Sequence, residues 1–157
     1  MECFSVFAYG TLKKEQLRGS MWPKSPLRIE LAIARGELFD LGVYPGLSRG
    51  NDEVLGELWT FDPQDIPMTL GVLDEIEGYD ALRDRGLYLR RRIQVIVGWE
   101  IDAPKTKECY VYLVPDVGEW PQARRIVPWL ETPWPRKLAV WPDGHSRVPR
   151  DISEEED

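Results

Sequence analysis

Three short stretches of this 157-residue chain hold residue types that could do chemistry. The first is Tyr9-Gly10-Thr11-Leu12, where a β-forming run stops at a glycine. Successive backbone N–H groups in such a turn can converge on an anion, and Gly10 permits close approach. A short Gly motif is equally compatible with a plain strand–helix turn, and the local pattern leaves both readings open. The second is Leu73-Asp74-Glu75-Ile76-Glu77-Gly78-Tyr79. Glu77 falls in the last turn of an expected helix, where the macrodipole disfavours negative charge. Desolvation would raise its pKa further, toward the range of a general acid–base. Asp74 and Glu75 share that terminus but lie elsewhere around the helix, and a glutamate is usually solvated, so burial decides its role. The third is Tyr88-Leu89-Arg90-Arg91-Arg92, which alternation splits into Tyr88, Arg90 and Arg92 on one face and Arg91 on the other. That face reads either as an aromatic wall with a cation for a substrate carboxylate, or as a solvated surface paired with acids. Tyr112 is open in the same way, between pocket wall and packed ring.

Other chemistries have little to work with. The only histidine is His145, in a Pro-rich stretch, so a catalytic triad or a two-His metal site would depend on it alone. Cys3 and Cys109 show no Cys-x-x-Cys spacing, fit a reducing compartment, and cannot build a zinc site by themselves. No metal and no cofactor are expected, and acid–base work falls to a carboxylate. The formal net charge is −7, but Asp151–Asp157 hold five acids and no base, which leaves −2 for the rest. With no basic excess, counterion release gives little drive toward nucleic acid. No apolar run approaches the roughly 20 residues of a membrane span. Met1-Glu2-Cys3-Phe4 lacks the basic start of a secretory signal, so a cytoplasmic location is expected.

The elements that must position these residues follow from periodicity. Residues 3–9 read as a first strand, Lys13 to Met21 as a short helix, and residues 27–41 as an extended segment bent at Gly36. Tyr44-Pro45-Gly46-Leu47 has the composition of a type II turn. Val54 to Phe61 alternates as a strand. Ile66, Leu70, Leu73 and Ile76 recur at helical spacing over Asp65 to Glu77, with Asp62-Pro63 as start and Gly78 as stop. Tyr79 to Leu87 reads as an exposed charged loop. Tyr88 to Gly98 and Thr106 to Val114 are strands, the second with Cys109, Val111 and Leu113 opposite Tyr110 and Tyr112.

This order predicts an α+β domain: a small mixed, mostly antiparallel β-barrel or curved sheet with two flanking helices. The expected division is a domain over 1–114, a Trp/Pro-rich extension over 115–150, and an acidic, disordered tail over 151–157. Residues 115–157 hold seven of the 13 prolines and four of the seven tryptophans: Trp120, Trp129, Trp134 and Trp141. Those rings either pack back on the domain, the expected case, or form a partner surface such as a homodimer contact. Monomer and homodimer are both compatible with the sequence.

Four ordered segments carry a family resemblance. They are Val6-Phe7-Ala8-Tyr9-Gly10-Thr11-Leu12, Leu38 to Leu47 with its Tyr44-Pro45 step, Val54-Leu55-Gly56-Glu57-Leu58-Trp59, and Leu73 to Gly78 followed by Tyr88 and a basic residue two later. Together, over residues 4–114, the chain resembles the small-protein branch of the γ-glutamylcyclotransferase-like superfamily, which includes the γ-glutamylamine cyclotransferases. The resemblance implies a compact fold around a small barrel, with Glu77 as the catalytic acid–base residue. It implies a substrate site at Tyr9, Gly10, Thr11 and Leu12, with Tyr44, Tyr88, Arg90 and Tyr112 around it.

The implied reaction is cyclisation of a small-molecule γ-glutamyl amine or γ-glutamyl amino acid to 5-oxoproline. The substrate carries its own nucleophile, so the protein's tasks are folding the substrate and moving protons. Two other classes fit the same sequence: a non-catalytic small-molecule binding module of this fold, and a partner-recruiting protein acting through the Trp-rich region.

Overall fold

The computed structural model describes residues 3–13, 18–42, 44–99, 104–133 and 136–141. Five strands close a barrel. β1 (Ser5–Ala8) runs antiparallel to β3 (Pro45–Thr60), pairing Ser5 with Thr60 and Ala8 with Glu57. β3 pairs antiparallel with β2 (Arg28–Asp40), and β2 with β6 (Leu89–Val97). β6 pairs antiparallel with β7 (Lys105–Leu113), and β7 closes the ring by running parallel to β1 at Val6 and Tyr110. Alternation then sorts side chains into two layers. Phe7, Ala32, Ala34, Leu58, Val95, Val97, Cys109 and Val111 fill the barrel interior. Val6, Ala8, Trp59, Phe61, Tyr88 and Tyr112 form an outer layer on which the helix rests.

That helix, α1, spans Ile66–Glu77 behind a 3₁₀ turn at Pro63–Asp65. The Asp62 side chain accepts from Gln64 N at 3.2 Å, and Pro67 sits where a missing N–H does no harm. Ile66, Leu70 and Leu73 are buried against the outer layer. Gly78 ends the helix at φ +65°, and its N–H returns to the Asp74 and Glu75 carbonyls. Glu77 is therefore fixed on the last helical turn, directly before a left-handed cap.

Several expectations need correction. Among the described residues α1 is the one α-helix, where two were expected. Residues 18–20 are turn, residues 14–17 lie outside the described residues, and Arg18 N donates to Thr11 O at 2.7 Å. That bond spans seven residues and closes a loop rather than a helical turn. Pro45-Gly46 begins a strand instead of turning the chain. The reversal lies before it, where Gly42 has φ +120° and Leu41 N donates to Tyr44 O at 2.9 Å. β3 thus starts nine residues earlier than Val54, and its register against β2 steps from Gly36↔Asp52 to Glu37↔Ser48 at the expected bend. Tyr79 to Leu87 is exposed and charged, but it contains a small hairpin of β4 (Tyr79–Asp80) and β5 (Arg85–Gly86).

Beyond β7 the chain lies along the barrel. β8 (Arg124–Ile126) pairs with β2, and β9 (Leu130–Glu131) pairs with β10 (Lys137–Leu138). Trp129 and Trp141 pack on the interior cluster and Trp120 on the outer one. Trp134, His145 and the Asp151–Asp157 tail lie outside the described residues. No helix of the described residues is long and apolar enough to cross a membrane.

Candidate active site

A hollow, partly open to solvent, lies between the end of β1 and the last turn of α1. Tyr9, Gly10, Thr11 and Leu12 line it from the loop after β1. Tyr44 and Pro45 come from the start of β3, Glu77 from α1, and Tyr88 and Tyr112 from either side of the β6–β7 pair. The fold thus brings together residues 68 positions apart in the chain, Tyr9 and Glu77. Of the nine site residues that the resemblance implies, Arg90 alone is absent from the lining.

Glu77 is mostly withdrawn from water, and burial raises its carboxyl from the ordinary 4.5 to about 7, against a smaller opposing pull from the Arg18 guanidinium. The C-terminal end of the helix dipole works in the same direction as burial. A carboxyl poised near neutrality is present in both protonation states and can accept a proton and return it.

The loop after β1 is polarised in a way that suits an anion. Gly10 O accepts from Lys13 N at 3.0 Å, Thr11 O from Arg18 N at 2.7 Å, and Leu12 O from Trp22 Nε1 at 2.8 Å. Among the described residues the N–H groups of Gly10, Thr11 and Leu12 have no protein acceptor. Carbonyls engaged within the protein, beside amide hydrogens with no acceptor among the described residues, are the components of a cradle for negative charge. Close approach is built in: a Cβ on Gly10 would lie 2.1 Å from Pro45 Cγ.

The tyrosines are tied outward. Tyr9 Oη donates to Tyr112 O, Tyr88 Oη to Pro45 O, and Tyr112 Oη to Asp74 Oδ1, each at 2.7 Å. Burial pushes all three phenols above their ordinary range, and the Glu77 charge pushes Tyr9 and Tyr88 further. They stay neutral with their protons committed, so they offer the hollow rings and oxygen lone pairs, not donors.

Arg90 serves that frame. Its Nη1 lies 2.6 Å from Asp74 Oδ2, and the guanidinium sits near the Tyr79 and Tyr110 rings. The acid that pairs with Arg90 is the one that holds Tyr112. Sequence reasoning missed Arg18, whose side chain lines the hollow with its guanidinium carbon 4.2 Å from the Tyr44 ring centroid. A lone arginine in a polar stretch carries no pattern of its own. Asp74, read from the sequence as lying elsewhere around the helix than Glu77, is spaced three residues from it, which places the two on neighbouring parts of one helix face.

Comparison with known proteins agrees with this architecture. Residues 6–134 match the family described as "Gamma-glutamyl cyclotransferase, AIG2-like". The chain is 35% identical over 94 residues to the gamma-glutamylcyclotransferase family protein YtfP of Escherichia coli K12, covering 59% of this chain and 74% of that one. Its fold is similar to that of an AIG2-like protein from Mus musculus, with TM-score 0.58 at 20% identity, covering 96% of this chain and 99% of that one. It is also similar to a solved gamma-glutamyl cyclotransferase, with TM-score 0.52 at 20% identity, covering 79% and 72% of the two chains. The chain, then, belongs to the AIG2-like gamma-glutamyl cyclotransferase family.

Proposed function

We propose that this protein is an enzyme that cyclises γ-glutamyl compounds to 5-oxoproline, with Glu77 moving the protons. The observation that carries the reading is a carboxyl held near neutrality in the same hollow as three residues whose backbone N–H groups have no acceptor among the described residues. Glu77 takes a proton from the substrate's α-ammonium and frees its lone pair. That nitrogen attacks the γ-carbonyl carbon, a ring C–N bond forms, and the carbonyl oxygen gathers negative charge. The N–H groups of Gly10, Thr11 and Leu12 stabilise that charge or hold the α-carboxylate. The bond to the leaving nitrogen then breaks as Glu77 gives that proton back to it, the γ-carbonyl reforms, and the ring nitrogen's second proton passes to the departing amine, releasing 5-oxoproline and an ammonium. The phenol oxygens of Tyr9, Tyr88 and Tyr112 can accept from the ammonium before it reacts, because their own protons point elsewhere.

The test is release of 5-oxoproline from γ-glutamyl amino acids and γ-glutamyl amines by the wild type and by Glu77→Gln. The substitution keeps shape and removes the proton acceptor, so turnover should fall by at least roughly a hundredfold while the circular dichroism spectrum stays the same. Full activity in Glu77→Gln would remove Glu77 from the mechanism. Binding of these compounds by the wild type with no product from any of them would make the protein a binding module of the same fold.

A further inference from the structure

Arg18 and Glu77 are the only charged side chains lining the hollow among the described residues. Arg18 is half-buried, its guanidinium makes no ion pair and no side-chain hydrogen bond among the described residues, and it lies over the ring of Tyr44. Stacking on an aromatic face holds the plane of an arginine while leaving its edge donors free. The cation acts on the Glu77 carboxyl through charge without a bond to it, so its donors remain available to an anion that enters the hollow.

Burial tells which end of a substrate it would meet. Tyr9, Tyr88 and Tyr112 are no more than 7% exposed, whereas Tyr44 is 38% exposed. The three buried rings and the Gly10–Leu12 cradle form the enclosed end, and the Arg18–Tyr44 pair forms the mouth. The γ-glutamyl part is common to all such substrates and needs the enclosed end, where its amine can be folded onto its carbonyl. The leaving group must project toward the mouth.

We propose that Arg18 is a specificity residue that selects γ-glutamyl compounds whose leaving amine itself carries a carboxylate, as in a γ-glutamyl-α-amino acid, over those whose leaving amine is uncharged. The inference rests on the γ-glutamyl reading above. It predicts a bidentate guanidinium–carboxylate contact at the mouth, made only by the first class.

The paired probes are γ-glutamylalanine and γ-glutamylethylamine, which differ by that carboxylate alone. Wild-type kcat/KM should favour γ-glutamylalanine by roughly ten- to hundredfold, the range of one charge-assisted contact. Arg18→Gln should bring the ratio close to one, and Arg18→Lys should restore part of it because the charge returns without the planar fork. The ratio cancels any change in Glu77 basicity that affects both compounds alike. A wild-type ratio near one, or an equal loss for both compounds in Arg18→Gln, overturns the proposal. The wild-type ratio decides the matter even where Arg18→Gln fails to fold. Kd values of both probes on Glu77→Gln separate this inference from the cyclisation itself. A tighter γ-glutamylalanine complex supports Arg18 as selector even if neither compound is turned over by the wild type, while equal affinity or no binding of either sinks it.

Discussion

The Tyr112 hydroxyl donates to Asp74 Oδ1 at 2.7 Å, and the other oxygen of that carboxylate takes Arg90 Nη1 at 2.6 Å. The pair joins a strand of the barrel to α1 one turn before Glu77. Because Tyr112 O also accepts from Tyr9 Oη, the same residue is held at both ends. Asp74→Asn keeps an acceptor for Tyr112 but leaves the mostly buried Arg90 charge without its partner. Stability should fall by about 1–2 kcal/mol. For a domain of this size that corresponds to a melting temperature lower by roughly 2–8 °C. Urea unfolding of the two proteins checks it, and an unchanged midpoint would mean that the ion pair contributes nothing.

Legibility from sequence followed the range of the interactions. The Ile66–Leu70–Leu73 stripe and Gly78 located α1 to within a residue because a helix is a local structure with local stop signals. The alternation of Cys109, Val111 and Leu113 against Tyr110 and Tyr112 sorted β7 into its two layers for the same reason. The first part of β3 was hidden because Ser48-Arg49-Gly50-Asn51-Asp52 has no apolar alternation. That part of β3 is held by long-range pairing, with β2 on one side and with β7 at Leu47 on the other. Glu77 and the Tyr9–Leu12 loop could be named as candidates, each on its own. Arg18 could not, since its place at the hollow depends on a chain reversal that no local pattern encodes.

Gly10→Ala tests the close approach at the cradle. Its new Cβ would meet Pro45 Cγ at 2.1 Å, so either the loop or the start of β3 must move. Pro45 also carries the carbonyl that fixes Tyr88, so a shift there disturbs a second wall of the hollow. The expected outcome is a loss of about 1–3 kcal/mol in unfolding free energy, as for other overpacked sites. A raised KM should accompany it. A variant with wild-type stability and KM would show that the loop tolerates displacement and that its position carries no function.

Tyr88→Phe removes one hydroxyl and leaves the ring. The bond lost is the 2.7 Å contact to Pro45 O, in a place where Tyr88 is 7% exposed. Deprived of that donor, the carbonyl should cost about 1–2 kcal/mol of stability. The hollow also loses an oxygen lone pair near Glu77, so KM for a γ-glutamyl substrate should rise more than kcat falls. Chemical unfolding and steady-state kinetics on one preparation separate the two effects. An effect on stability alone would make Tyr88 a strut without a part in binding.

Glu77 gives the protein a pH signature that can be read without any substrate. Its folded pKa is raised to about 7 by burial, against an ordinary 4.5 that stands for the unfolded chain. Between these values the folded state keeps a proton that the unfolded state has released, so stability falls as pH rises through that window. Below about 4.5 both states are protonated and the residue contributes no difference; above about 7 the penalty is complete. Its size is on the order of 2–3 kcal/mol after allowance for partial solvent exposure. Glu77→Gln cannot ionise and escapes the penalty. The variant should therefore match the wild type near pH 4.5 and exceed it at pH 8 by that amount, as measured by urea unfolding at both pH values. Other titrating groups are common to the two proteins and drop out of the comparison. A difference that stays constant with pH would place the Glu77 carboxyl in ordinary solvent and remove the poised acid on which the proposed chemistry depends.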